Sequence, residues 1–162
     1  MTSIIILISQ VIEIFILSVI QGVTEFLPIS SSSHLILVSN YLEFDNQGLT
    51  IDVSLHIGSF FAVILYFYKD LINFYQNKAL FLKILISSLP IMIIGFVLVQ
   101  IDFINKVRSV EVIAWTTILF GILLYFSDKF QLKKNLKNDF DFKSALIIGF
   151  LQILSLVPGV SR

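Results

Sequence analysis

QGVTEFLPISSSSH, Gln21 to His34, puts an amide, a carboxylate, four consecutive serines and an imidazole into one short stretch. Apolar runs flank it, Ile4–Ile8 on one side and Leu35–Val38 on the other. A charged side chain at membrane depth costs about 2.5–3.5 kcal/mol, so a polar cluster in greasy surroundings reads first as a functional site. The stretch also dictates local structure. Gln21 and Glu25 are four residues apart and share one helix face, on the same stripe as Leu17 and Glu13. Pro28 ends that helix, because its ring removes a donor and pushes the preceding residue out of the α region. Ser30 to Ser33 then precede His34 and an apolar run, where they are placed to cap a second helix.

The wider composition favours lipid. Of 162 residues, 57% are hydrophobic and only 14% charged, against roughly 45–50% apolar and 25% charged in soluble domains. Mean hydropathy is +0.94. The expected class is all-α, a polytopic transmembrane helical bundle, read as a single transmembrane domain over 1–162. The net charge is zero and there are no cysteines, so nothing points to nucleic acid and thiol chemistry is excluded. No Lys or Arg precedes Lys69, and a cleavable signal would need a positive n-region.

Four stretches carry no Asp, Glu, Lys or Arg: Val53–Tyr68, Ile84–Ile101, Val112–Ser127 and Ser144–Ser161. Each approaches the roughly 20 residues that cross a bilayer as a helix, and in hydrocarbon the backbone must satisfy itself. No period-2 alternation suggests a barrel. Between the stretches, Leu42–Ile51 holds no Lys or Arg, Lys69–Lys83 three, Asp102–Glu111 two and Lys129–Lys143 five. That alternation places the second and fourth connections in the cytoplasm. Tyr66, Phe67 and Tyr68 before Lys69 read as an interfacial aromatic belt. Gly58, Gly95 and Gly121 are the expected points of close helix approach.

A weak internal echo links the two ends. Ile20–Ser31 reads IQGVTEFLPISS and Leu151–Arg162 reads LQILSLVPGVSR. Each has an apolar helix, a Gln, a proline a few residues on, and then small polar residues. If the two enter from opposite faces they are inverted repeats, with 1–127 the first and 128–162 a cytoplasmic loop and the start of the second. Broken segments at matching positions point to a midplane site.

The chemistry follows from residue type. Glu25, with Gln21, is a candidate ligand set for a hard divalent cation, Mg²⁺ or Ca²⁺, bound through oxygen. The structural alternative is an interhelical hydrogen bond. A helix N-terminus lined with hydroxyls favours phosphate, which makes Ser30, Ser32 and Ser33 candidate substrate contacts. Ser31 is a candidate nucleophile assisted by His34, or His34 activates a water instead. His56, in IDVSLHIGS, is a weaker candidate that reads more readily as packing, as does Glu13. Arg162 follows a long uncharged stretch, and arginine is the preferred bidentate partner of phosphate.

QGVTEFLPISSSSHLIL and PGVSR resemble the two signature motifs of the undecaprenyl-diphosphate phosphatases, the bacitracin-resistance family, and DVSLHIGSFFAVILYFYKD is similar to that family's next helix. The resemblance implies a multi-pass enzyme of the bacterial plasma membrane. It would hydrolyse a polyprenyl diphosphate to the monophosphate and recycle the carrier for cell-wall precursors. It also implies two inverted repeats with re-entrant broken helices and a site open to the outer face. By position it assigns Gln21 and Glu25 to the acidic motif, Ser30, Ser31 and His34 to the serine–histidine part, and Ser161 and Arg162 to the second motif. Gln21 stands at a place that holds Glu or Gln, and Ser33 where many members have Gly. Chains of that family continue past the arginine, so most of a second repeat is absent from this sequence. The implied partners are the lipid diphosphate and bilayer lipids, with a second copy of the chain as a candidate. Two other readings stand beside it: a transporter or lipid flippase, since broken helices and inverted repeats are found there too, and an inactive truncated fragment.

Overall fold

The computed structural model describes residues 2–45, 48–129 and 141–160. Among them there is no strand. The helices are α1 (Thr2–Thr24), α2 (Ser31–Tyr41), α3 (Leu49–Tyr66), α4 (Tyr68–Gln76), α5 (Lys78–Gln100), α6 (Phe103–Val107), α7 (Val110–Lys129) and α8 (Phe142–Leu151), and a 3₁₀ turn over Gln152–Leu156 continues α8. The chain is an all-α polytopic membrane protein: α1 from Ile4, α3, α5 and α7 each have the length and apolarity to cross a bilayer.

Three of the four uncharged stretches lie in α3, α5 and α7, which each start a few residues earlier than the uncharged run. The fourth, Ser144–Ser161, does not form one crossing helix. Its α-helical part ends at Leu151, the 3₁₀ turn follows, and Val157 is extended (φ −88°, ψ 124°). Pro158 forces this, since the residue before a proline is driven from the α region, and Gly159 then takes φ 90°. The connection read between Lys69 and Lys83 is also partly helical, because α4 fills its first half and α5 begins at Lys78 under an Asn77 cap that accepts from the Leu80 N–H at 3.2 Å.

α1 ends at Thr24, four residues before Pro28, and α2 folds back along α1. α2 leads to the lysine-poor connection where α3 begins, so α1 and α2 form a hairpin from that side. α8 follows the lysine-rich connection after α7 and therefore enters from the opposite side. The aromatic pairings agree: Lys69 sits 5.7 Å from the Tyr68 ring at the junction of α3 and α4, and Lys129 sits 4.3 Å from the Tyr125 ring at the end of α7. Both pairings lie on the lysine-rich side, where cations and aromatic rings share an interface.

The buried set is as polar as it is apolar. Leu17, Leu35 and Ile36 are shielded where α1 meets α2, and Gln21, Ser31 and Ser33 are shielded beside them. Large apolar side chains such as Phe15, Leu65 and Trp115 face outward, the arrangement expected when the surrounding solvent is hydrocarbon. Helix packing is closest between α5 and α8. There Gly149 lies against the Ser87 backbone, which a Cβ would strike, and Ala145 is fully buried. A Cβ added at Gly58 or Gly121 would meet nothing within 4 Å, and one at Gly95 would meet only the Leu156 side chain, at 3.7 Å. Close approach therefore runs through Gly149 rather than through the glycines expected from sequence.

Gly149→Val should push α8 off α5 and cost about 1–3 kcal/mol, seen as a lower unfolding midpoint in detergent. Gly58→Ala should leave that midpoint unchanged or raise it, since Ala gains up to about 1 kcal/mol over Gly in a helix.

Candidate active site

Two helix breaks meet to make the site. Beyond Thr24 the chain turns through residues 25–29 and enters α2 with Ser30 at the N-cap position (φ −75°, ψ 104°). The serines do not cap α2 through their side chains. Instead their hydroxyls bond one another: Ser33 Oγ donates to Ser30 Oγ at 2.9 Å, and Ser30 and Ser32 Oγ lie 3.4 Å apart. The Gly159 N–H of the second break also points at Ser30 Oγ, at 3.4 Å. With its oxygen engaged in this way, Ser30 leaves the first N–H groups of α2 without a side-chain partner.

The second break is pinned from behind. Thr116 Oγ1, on α7, lies 2.7 Å from the Pro158 carbonyl and 2.7 Å from the Val112 carbonyl of its own helix, and its one proton serves the two in turn. Gly159 is packed so tightly on Thr116 and Thr117 that a Cβ would collide with the Thr116 hydroxyl. Its positive φ excludes other residues on conformational grounds as well. Val160 is buried by this docking. Glu25, Pro28, Ser30, Ser31, Ser155 and Val160 then share the wall of one cavity of about 100 Å³.

Glu25, on that wall, also gathers polar groups from outside the cavity lining. Ser31 Oγ donates to Glu25 Oε2 at 2.7 Å, and Gln21 Nε2 donates to the same oxygen at 3.1 Å and to Ser59 Oγ at 3.2 Å. Gln21 is 1% exposed, and its Oε1 is buried with no hydrogen-bond partner. Of the two histidines, His56 is the one beside Ser31. Its Nε2 lies 3.4 Å from Ser31 Oγ and 3.5 Å from Glu25 Oε2, while its Nδ1 faces the Asp52 carbonyl at 2.7 Å. His34 turns onto the carbonyl of Ser30, with Nδ1 at 2.8 Å. The sequence alone ranks these two histidines the other way. His56 is 25 residues from Ser31, so only the packing of α3 on α1 reveals it. Ser59 and Ser155 also join the site without a sequence signal, since nothing about a lone serine on an apolar helix marks it. Ser161 and Arg162, named from the sequence for phosphate, lie outside the described residues.

Among the described residues no three His, Cys, Asp or Glu side chains gather as a metal cage. The donors present are one carboxylate, hydroxyls, an imidazole and a buried amide oxygen lacking a partner. Such a set suits a hard cation that keeps open positions for phosphate oxygens, in the manner of Mg²⁺ sites with one or two carboxylates.

One ion pair seats the first turn of α3. Arg108 Nη1, just after α6, approaches Asp52 Oδ2 at 2.7 Å, with side chains 11% and 9% exposed. No donor is aligned on Oδ2, so the attraction is Coulombic more than directional. Asp52 also supplies the carbonyl that holds His56, and so the pair bears on the site.

The family model described as "Bacitracin resistance protein BacA" matches residues 14–162. A relative from Pelagibacter ubique (strain HTCC1062), named undecaprenyl-diphosphatase, is 46% identical over 155 residues, covering 95% of this chain and 60% of the relative. Another of that name, from Jannaschia sp. (strain CCS1), is 39% identical over 163 residues, covering 92% of this chain and 61% of the relative. The chain thus spans about three fifths of the length of these curated relatives.

Arg108→Met should destabilise the protein by about 3–5 kcal/mol, because it strands a buried carboxylate. Adding Asp52→Asn should recover most of that loss. Unfolding midpoints of both variants in detergent test the coupling.

Proposed function

The chain belongs to the bacitracin resistance protein BacA family, and on that premise we propose that it carries the reactive half of a phosphatase for a polyprenyl diphosphate in the bacterial plasma membrane. The observation that carries this reading is the 2.7 Å bond from Ser31 Oγ to Glu25 Oε2 in a cavity walled by both helix breaks. Both relatives are named undecaprenyl-diphosphatase, and a long isoprenoid diphosphate suits a polar hollow among lipid-facing helices.

In this reading the diphosphate oxygens take the open N–H groups of α2 and the hydroxyls of Ser30, Ser32 and Ser33. Ser161 and Arg162, the two residues after buried Val160, add a hydroxyl and a guanidinium from the second motif. Glu25, with Gln21, would hold a divalent ion, which would supply charge neutralisation to the phosphate. The buried Gln21 Oε1 supports this role, because turning the amide over would present that oxygen beside the carboxylate. Ser31 is the nucleophile. Its oxygen bonds the terminal phosphorus, the bridging P–O bond breaks, and the lipid leaves as the monophosphate. Water then cleaves the phosphoserine and releases inorganic phosphate. The hydroxyl proton has an acceptor already in place, since it is directed at Glu25. Positioning and charge neutralisation are what phosphoryl transfer chiefly needs.

The depth of the site supports an outer-face opening. His56 lies about 10 Å, two turns, from the start of α3, and Thr116 lies at similar depth in α7. Both helices start on the lysine-poor side, which the positive-inside rule assigns away from the cytoplasm. The hairpin of α1 and α2 and the opposed entry of α8 support the inverted-repeat topology.

Phosphate release from polyprenyl diphosphate in detergent tests the reading, using this chain and a version extended to the relatives' length. Release should stop with chelator, and should fall on the order of 10³-fold in Glu25→Gln or Ser31→Ala, the scale of losing one group that stabilises developing charge. A phosphoserine trapped at Ser31 is expected. Lipid translocation without phosphate release would instead support a flippase.

A further inference from the structure

We propose that His56 is a nitrogen ligand of the divalent cation at Glu25, so that the site takes a cation that accepts imidazole, Mn²⁺ ahead of Ca²⁺ or Mg²⁺. This rests on the reading of Glu25 as a cation-binding carboxylate and adds a residue and a selectivity to it.

The tautomer of His56 is fixed by its backbone partner. A carbonyl oxygen only accepts, so the 2.7 Å contact between His56 Nδ1 and the Asp52 carbonyl makes Nδ1 the protonated nitrogen. In the neutral ring the lone pair is then on Nε2, which faces Ser31 and Glu25. A metal-bound histidine is usually fixed in just this way, with its other N–H on a backbone carbonyl. The anchor is itself fixed, since the Asp52 side chain is paired with Arg108 at 2.7 Å.

Next comes what Nε2 faces. Among the described residues it lies near Ser31 Oγ at 3.4 Å and Glu25 Oε2 at 3.5 Å. The Ser31 proton is already given to Glu25, at 2.7 Å, so it does not serve Nε2. Ser31 Oγ, Glu25 Oε2 and His56 Nε2 therefore form a triangle with sides of 2.7, 3.4 and 3.5 Å, in which Oε2 also accepts from Gln21 Nε2 at 3.1 Å, a donor that a cation there would displace. Bonds of about 2.0–2.2 Å to one cation hold neighbouring ligand atoms roughly 3 Å apart, so the triangle has the size of one face of a coordination shell. A second proton on Nε2 is the other way to reconcile the lone pairs, and it predicts the opposite behaviour toward cations.

The ligand type then sets the preference. Carboxylate and hydroxyl alone suit Mg²⁺, Ca²⁺ and Mn²⁺, whereas an added imidazole favours metals that accept nitrogen. Mn²⁺ accepts both donor types and is paramagnetic, so it reports its own ligands.

The test uses Mn²⁺ on the protein in detergent micelles, with pulsed electron paramagnetic resonance as the readout. The spectrum should carry a nitrogen modulation that changes when only histidine is labelled with ¹⁵N. With two histidines in the chain, the modulation should persist in His34→Ala and vanish in His56→Gln. Should His56→Gln fail to fold, its persistence in His34→Ala alone still assigns it. Titration should show Mn²⁺ affinity falling about 10-fold or more in His56→Gln, with Ca²⁺ affinity changed much less. Mn²⁺ binding that needs Glu25 but shows no histidine nitrogen would overturn the role of His56 while leaving the cation reading intact. Binding indifferent to Glu25→Gln, or no binding, would overturn both.

Discussion

A carboxylate set among lipid-facing helices must be given donors, and the surroundings of Glu25 follow from that requirement. The hydroxyl of Ser31 and the amide of Gln21 both donate to one of its oxygens, at 2.7 and 3.1 Å. The two contacts do not both form in a straight helix. Gln21 reaches Glu25 because the two are one turn apart, but Ser31 reaches it only because the chain breaks at Pro28 and re-enters helix at Ser31. The break exposes backbone N–H groups that hydrocarbon cannot satisfy, and that cost is tolerable only where the break faces protein and a polar hollow.

The second break answers the first. Pro158 and Gly159 dock on α7 through Thr116 and bring a backbone N–H to Ser30. Each break thus supplies part of the other's environment, and the cavity exists only while both hold. The tight pairing of α8 with α5 at Gly149 and Ser87 sets the position from which the second break reaches inward. Stability at the α5–α8 seam and geometry at the site are therefore linked, although Gly149 touches no polar group of the cavity.

Much of this is legible in the sequence where the signal is local. Charge-free runs mark α3, α5 and α7, and residues 21–34 carry both the break and most of its chemistry in one contiguous stretch. Pro28 and Pro158 stand near both interruptions. The misreadings have physical causes. By hydropathy alone Ser144–Ser161 looks like a crossing helix, whereas its proline, matched to Pro28 in the internal echo, marks the break that Pro158 and the positive φ of Gly159 make. His34 is close to Ser31 in sequence and its Nδ1 faces the Ser30 carbonyl, whereas His56, which comes in from α3 beside Ser31, has no local signal. Gly149 is easily overlooked because an isolated glycine in an apolar run gives no sign of what packs on it, whereas Gly58 and Gly121 have only open space beside them.

The central claim is that the two breaks form one hollow shared by both motifs. The chain has no native cysteine, so cross-linking between engineered cysteines at Ser32 and Ser155, which line opposite contributions to that hollow, reads the claim directly. Ser32→Cys with Ser155→Cys should be bridged by a short bifunctional thiol reagent in membranes, and added pyrophosphate should slow the bridging. If each single variant reacts with a monofunctional reagent but the pair is never bridged, the two breaks do not meet and the account is contradicted.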